Sequence, residues 1–219
     1  MPMPHVTLPP RRAVLALLLF VLAAIAVGAR AAVAPRVLLV VGDSISAGYG
    51  LPKGAGWVDL LAARIEAQRL PFRVVNASIT GDTTAGGRAR LPALLAQHKP
   101  AVVVVELGGN DGLRGGSLKA TRDNLDAMVG DVQKSGARAL LVGMRLPPNY
   151  GPAYTREFDA LFAEVAQSRK AALVPFLFAG FGESSEWFQP DRIHPTVAAQ
   201  AMLLDNVWPA LAPLLGKPR

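Results

Sequence analysis

A single doubly wound α/β domain is what this sequence predicts. Two observations carry that expectation. Short, continuously apolar, β-branched runs recur along the chain, and amphipathic stretches of helical spacing separate them. Strands that are apolar at every position are buried on both faces, and alternating helices supply the covering layers, so the expected sheet is parallel. The 219 residues suffice for one domain with a real core, and no repeat, low-complexity tract or linker divides them.

The elements follow in order. Val37 to Val41, ending at Gly42, reads as the first strand. Phe72 to Ala77, Ala101 to Leu107, Ala139 to Val142 and Leu173 to Phe176 bring the sheet to about five strands. Ala101 to Leu107 (AVVVVEL) is the strongest of them. Trp57 to Gln68 carries Trp57, Leu60, Leu61 and Ile65 at helical spacing, and Thr84 to Gln97, Leu118 to Ser135 and Tyr154 to Lys170 repeat the pattern. Thr196 to Leu215 closes the chain, with a kink or break expected near Pro209.

Residues 1–34 read as a secretory signal, and residues 35–219 as the mature domain. Arg11 and Arg12 precede an uncharged run from Ala13 to Val27, too short and too isolated to favour a membrane span. Small residues follow, with cleavage expected after Ala31 or Ala34; an uncleaved anchor is the alternative. A periplasmic or secreted protein is implied. The chain has no cysteine, which excludes disulfides, thiolate metal sites, a cysteine nucleophile and lipid attachment at a cysteine. The formal charge of +7 falls by three when Arg11, Arg12 and Arg30 leave with the signal. The remaining basic residues form no stripe that would track nucleic acid. Mild attraction to anionic lipid head groups is compatible with them.

In a parallel sheet, ligands bind at the carboxyl ends of the strands. The unusual residues of this chain fall in the loops placed there. Of three histidines, His5 lies in the signal, and His98 ends a helix, where a surface ring is expected. His194 remains, in Asp191-Arg192-Ile193-His194-Pro195. A carboxylate three residues away can hold one ring nitrogen and leave the other free as a base; a capping aspartate on a surface turn is the plain alternative. Ser44 follows the first strand at a strand-to-helix turn, as a nucleophile needing such a base or as a simple N-cap. Gly81 follows the second strand. Gly108-Gly109-Asn110-Asp111 follows the third, where the Asn110 amide could donate to an oxyanion. Both are also ordinary turn sequences. The chain has no Gly-x-Ser-x-Gly elbow, which disfavours an ordinary α/β-hydrolase.

Gly42-Asp43-Ser44, the Gly81 loop, Gly-Gly-Asn-Asp and Asp-x-x-His-Pro occur in an order that resembles the SGNH, or GDSL-type, esterases and lipases. The resemblance covers the mature chain. GDSISAGYG from Gly42, NASITGD from Asn76, ARLPALLAQHK from Ala89, VELGGNDGLRG from Val105 and RLPPNYG from Arg145 resemble its branch of bacterial multifunctional thioesterases, lysophospholipases and arylesterases. Ile45 stands where the family usually has leucine, a conservative departure. The resemblance implies a three-layer α/β/α sandwich, flavodoxin-like, with a central parallel sheet. It implies a triad of Ser44, His194 and Asp191, an oxyanion hole of Ser44, Gly81 and Asn110, and an acyl-enzyme. No metal or organic cofactor is implied. The expected partner is a small acyl ester or thioester, a lysophospholipid included, met by a monomer in transient contact with lipid and without nucleic acid. A carbohydrate or peptidoglycan O-deacetylase on the same scaffold is the runner-up. A flavodoxin-like binding module is the distant rival, for Gly42 to Gly50 has neither a P-loop lysine nor the dinucleotide glycine spacing.

Overall fold

The computed structural model describes residues 34–216. The signal read in residues 1–34 lies, Ala34 apart, outside the described residues. Five strands, β1 Arg36–Gly42, β2 Phe72–Asn76, β3 Val102–Glu106, β4 Arg138–Val142 and β5 Ala172–Val174, form one parallel sheet in the order β2-β1-β3-β4-β5. β1, β3 and β4 are interior strands, and all of β3 and all but the first residue of β1 and β4 are buried. That double burial is why Val37 to Val41, Val102 to Val105 and Ala139 to Val142 are unbroken apolar runs. β2, at the edge, is only half covered.

Seven α-helices accompany the strands among the described residues: α1 Ser44–Ala47, α2 Trp57–Ala67, α3 Thr84–His98, α4 Gly109–Leu113, α5 Leu118–Lys134, α6 Pro152–Arg169 and α7 Gln200–Leu215. α2 and α7 pack together over one face of the sheet; α3, α5 and α6 pack side by side over the other. The result is the expected three-layer sandwich. Local chemistry sets several helix ends. Thr83 Oγ1 accepts from the Gly86 N–H and Ser117 Oγ from the Ala120 N–H, both at 3.3 Å, capping α3 and α5. Lys99 adopts φ +44° and ends α3.

Two elements differ from expectation. Of the kink or break expected near Pro209, the break is absent: α7 runs on through both Pro209 and Pro213. A proline inside a helix costs about 3 kcal/mol, and Leu203, Leu204, Val207, Leu211 and Leu215, all buried from this one helix, outweigh it. Gly108–Asp111, read as a loop, instead enters the short helix α4. Gly108 has φ +117°, which lets the chain turn straight out of β3.

The sheet order decides where a ligand can sit. The helices that follow β1 and β3 leave to opposite faces, so the chain diverges at the carboxyl ends of these neighbours and opens a crevice. Gly42 pairs with Glu106 at that point. A Cβ on Gly42 would lie 2.7 Å from Ser46 Cβ and 2.8 Å from Glu106 Oε2. Gly42→Ala is therefore expected to destabilise the domain by about 1–3 kcal/mol through over-packing. Urea unfolding checks this, and an unchanged midpoint would contradict it.

Candidate active site

Ser44 opens α1 two residues past Gly42. Asp43 caps the helix through a 3.0 Å bond from the Ile45 N–H. As the first helical residue, Ser44 has an N–H with no intrahelical acceptor. Near the far end of the chain, Asp191 to His194 forms a tight turn in which Arg192 has φ +59°. Asp191 Oδ1 accepts from the Ile193 and His194 N–H groups at 2.9 and 3.0 Å. That fixes Asp191 Oδ2 at 2.7 Å from His194 Nδ1, and His194 Nε2 lies 2.8 Å from Ser44 Oγ. With its proton on Nδ1, the imidazole donates to the carboxylate and turns its free lone pair to the serine hydroxyl. Serine, histidine and aspartate thus form one hydrogen-bonded chain.

A strap that sequence reading did not find holds the histidine turn. The Gln189 N–H donates to His194 O at 2.7 Å, and Gln189 Nε2 donates to Tyr49 O at 2.9 Å. The Tyr49 ring packs against the His194 ring at 4.5 Å between centroids. Gly50, with φ +73°, makes room: a Cβ there would lie 2.2 Å from Gln189 Oε1. Glutamine carries no chemistry of its own, so spacing gave no signal for Gln189.

On the other side of Ser44 stand Gly81 and Asn110, and both line the same cleft as Ser44 and His194. Gly81 has φ +77°, a conformation that favours glycine. Asn110 lies in the first turn of α4. Its Nδ2 donates to Asp82 O at 2.9 Å and to Asp43 Oδ2 at 3.1 Å. The structure therefore brings together all five residues singled out from the sequence. His98, read as a helix-end residue, is half-buried as the last residue of α3.

Three carboxyl groups surround this centre, each in a different setting. Burial works against the Asp191 charge, but bonds from the His194 and Ile193 N–H groups and the His194 ring outweigh it, and its pKa falls from 3.8 to about 2. Burial dominates at Asp43 and raises it to about 6, against the Ile45 N–H, His194 and Asn110. Glu106 is wholly buried beneath the turn, with Asp43 beside it, and is pushed well above the usual carboxylate range. Ser46 Oγ donates to Glu106 Oε2 at 2.7 Å, whereas Oε1 is buried without a protein donor.

The cleft has a volume of about 760 Å³. Leu113, Met144, Leu146, Phe176, Phe178 and Phe188 make its wall apolar; Arg145, Arg192 and Glu183 also border it. Gly112–Gly116, beside Asn110, is tied by Tyr150, whose hydroxyl donates to Leu113 O at 2.9 Å, and by Tyr154, whose hydroxyl donates to Gly116 O at 2.8 Å. Among the described residues no group of three or more His, Asp or Glu side chains converges as a metal site.

The sequence matches the GDSL-like lipase/acylhydrolase family over residues 40–202. It is 55% identical to Esterase TesA of Pseudomonas aeruginosa over 182 residues, 83% of this chain and 90% of that one. It is 43% identical to Thioesterase 1/protease 1/lysophospholipase L1 of Escherichia coli K12 over 184 residues, 84% of this chain and 87% of that one. A crystal structure of TesA, 55% identical, superposes with a TM-score of 0.80 over 82% of this chain and 99% of that one.

The buried Glu106 leads to a pH prediction. Its folded pKa lies above its unfolded value of 4.5, so over that window the folded state holds more protons and stability falls as pH rises. Glu106→Gln removes this slope. Urea unfolding from about pH 5 to about pH 9 should show the variant gaining on the native chain as pH rises. Parallel curves would place the Glu106 proton elsewhere.

Proposed function

This chain belongs to the GDSL-like lipase/acylhydrolase family, and from that premise we propose that it is an exported serine hydrolase cleaving acyl esters and thioesters through Ser44, His194 and Asp191. The observation that carries the reading is the unbroken chain from Ser44 Oγ through His194 to Asp191, with steps of 2.8 and 2.7 Å. Ser44 Oγ attacks the substrate carbonyl as His194 Nε2 takes its proton. Asp191 holds the ring in the tautomer that makes this possible and stabilises the imidazolium. The imidazolium then protonates the leaving oxygen or sulfur, which departs and leaves an acyl-serine. Water, deprotonated by His194, releases the acid.

Negative charge builds on the carbonyl oxygen in both steps. The Ser44 and Gly81 N–H groups and Asn110 Nδ2 are its proposed donors. The Asn110 amide spends both hydrogens on Asp82 O and Asp43 Oδ2, so serving the oxyanion requires giving one up; the longer bond, to Asp43, is the one to yield.

The cleft supports an acyl chain or aryl group as the bound part, because its aromatic and aliphatic wall has little to offer an acetylated sugar. The names Esterase TesA and Thioesterase 1/protease 1/lysophospholipase L1 support the same range. Arg145 and Arg192 at the cleft suit a phosphate-bearing substrate such as a lysophospholipid. Exposed Tyr49, Ile79, Ile193 and Val197 lie within a few residues of the site's loops, and support transient contact with lipid. Every group of the site comes from one chain, so a monomer suffices. Export rests on residues 1–34; no helix of the described residues is long and apolar enough to cross a membrane.

Ser44→Ala should lower kcat by about 10⁶ and abolish fluorophosphonate labelling, with the fold retained by circular dichroism; a labelled, folded variant would remove Ser44 as nucleophile. On p-nitrophenyl esters of graded length, acyl thioesters, a lysophospholipid and an acetylated sugar, turnover should favour the acyl chains; preference for the sugar would favour the deacetylase. Asn110→Ala should cut kcat by about 10²–10³ with a small change in KM. Near-normal kcat in that variant would take Asn110 out of the oxyanion site.

A further inference from the structure

The stretch Ala89-Arg90-Leu91-Pro92 on α3 contributes no residue to the chemistry above, yet Arg90 reaches from that helix to the loops that carry the site. Its guanidinium contacts three separate segments. Nε donates to Asp82 Oδ2 at 2.8 Å, Nη1 donates to the Ala77 carbonyl, and Nη2 donates to the Gly42 carbonyl at 3.3 Å. The Gly42 carbonyl belongs to the peptide that leads into Asp43 and Ser44. Ala77 follows the end of β2, and Asp82 adjoins Gly81. The Asp82 carbonyl is also what Asn110 Nδ2 donates to. One planar group thus spans the start of the Ser44 turn, the end of β2 and the Gly81–Asp82 turn.

We infer that Arg90 is a positioning residue for the proposed oxyanion site: it sets the Gly81 turn, and through Asp82 the Asn110 amide, in register with Ser44. The inference rests on the serine-hydrolase reading and deepens it. Three features favour positioning over a mere surface ion pair. The pair is largely covered, with side-chain exposures of 20% for Arg90 and 11% for Asp82. Two of the three acceptors are backbone carbonyls at strand ends, which fixes main chain and not just side chains. Gly86, one turn before Arg90, has no Cβ where one would lie 2.0 Å from Asp82 Oδ1, so the helix is cut away to admit this carboxylate. Only a fork of donors spans three acceptors; the single ammonium of lysine is a point charge and cannot. Arg90 touches no substrate, so its effect runs through the placement of donors that matter most in the transition state.

The test compares Arg90→Lys and Arg90→Ala with the native chain on a p-nitrophenyl ester, reading kcat, KM, the fluorophosphonate labelling rate and the folded fraction. Misplacing a donor by about 1 Å costs about 10²-fold, so both variants should lose about that in kcat and labelling rate, with KM nearly unchanged. Ethylguanidinium added to Arg90→Ala should restore part of the loss. Should Arg90→Ala fail to fold, Arg90→Lys, which keeps the stem and charge, carries the same comparison. Native-like kcat in a folded variant, or a kcat loss no larger than the unfolded fraction, overturns the inference; so does an Arg90→Ala protein indifferent to ethylguanidinium. An active native chain beside equally active Arg90 variants removes Arg90 alone, whereas a native chain that neither labels nor turns over esters removes the hydrolase reading with it.

Discussion

The pairing of β1 with β3 is the constraint on which the site depends. Parallel register sets Gly42 beside Glu106, so the two strands end level with each other. Their chains then leave to opposite faces, and the turns they enter carry Asp43-Ser44 on one side and Asn110 on the other. Val37 to Val41 and Val102 to Val105, buried on both faces, hold the two strands together at the centre of the sheet. The lack of a side chain at Gly42 leaves space for Ser46 and Glu106 directly behind the serine turn.

Around that junction, three carboxyl groups are separated by environment. Asp191 is partly exposed and richly hydrogen-bonded, and it stays ionised next to the imidazole. Burial raises Asp43 to about 6 and pushes Glu106 well above the usual carboxylate range. It raises the Asp43 carboxyl while its side chain caps α1 and accepts from Asn110.

The His194 turn hangs from hydrogen bonds and one ring contact, more than from packing. Gln189 joins it to the loop that ends α1, and Gln200 Oε1 accepts from the Trp57 N–H at 2.9 Å, tying α7 to α2. The last part of the chain is thereby brought back to the turn that follows the first strand. A turn held at several polar points keeps a fixed orientation while remaining at the mouth of the cleft, where a substrate must reach it.

The unbroken apolar runs and the helical spacings were enough to give a parallel sheet, its five strands and the five long helices, since burial on two faces or on one stripe leaves a periodic mark in the sequence. Ser44, Gly81, Asn110, Asp191 and His194 each had a plain reading as a cap or turn residue, and it was the order of their blocks, resembling that of the GDSL-type family, that singled them out together. Continuity of α7 through Pro209 was not legible, because a local penalty was outweighed by leucines whose partners lie elsewhere in the chain. Arg90, Gln189 and Glu106 were not legible either. An arginine on a helix reads as a solvated face, a glutamine as a polar filler, and Glu106 sat unremarked inside the apolar run from Ala101 to Leu107. Their significance comes from the acceptors that tertiary structure sets against them: the carbonyls of Gly42 and Ala77, the carbonyl of Tyr49 and the hydroxyl of Ser46. Sequence determined which side chains could do chemistry and at which end of the sheet. Only the folded chain decided their distances, their protonation and what holds them, because those depend on groups far apart in sequence and on water being excluded between them.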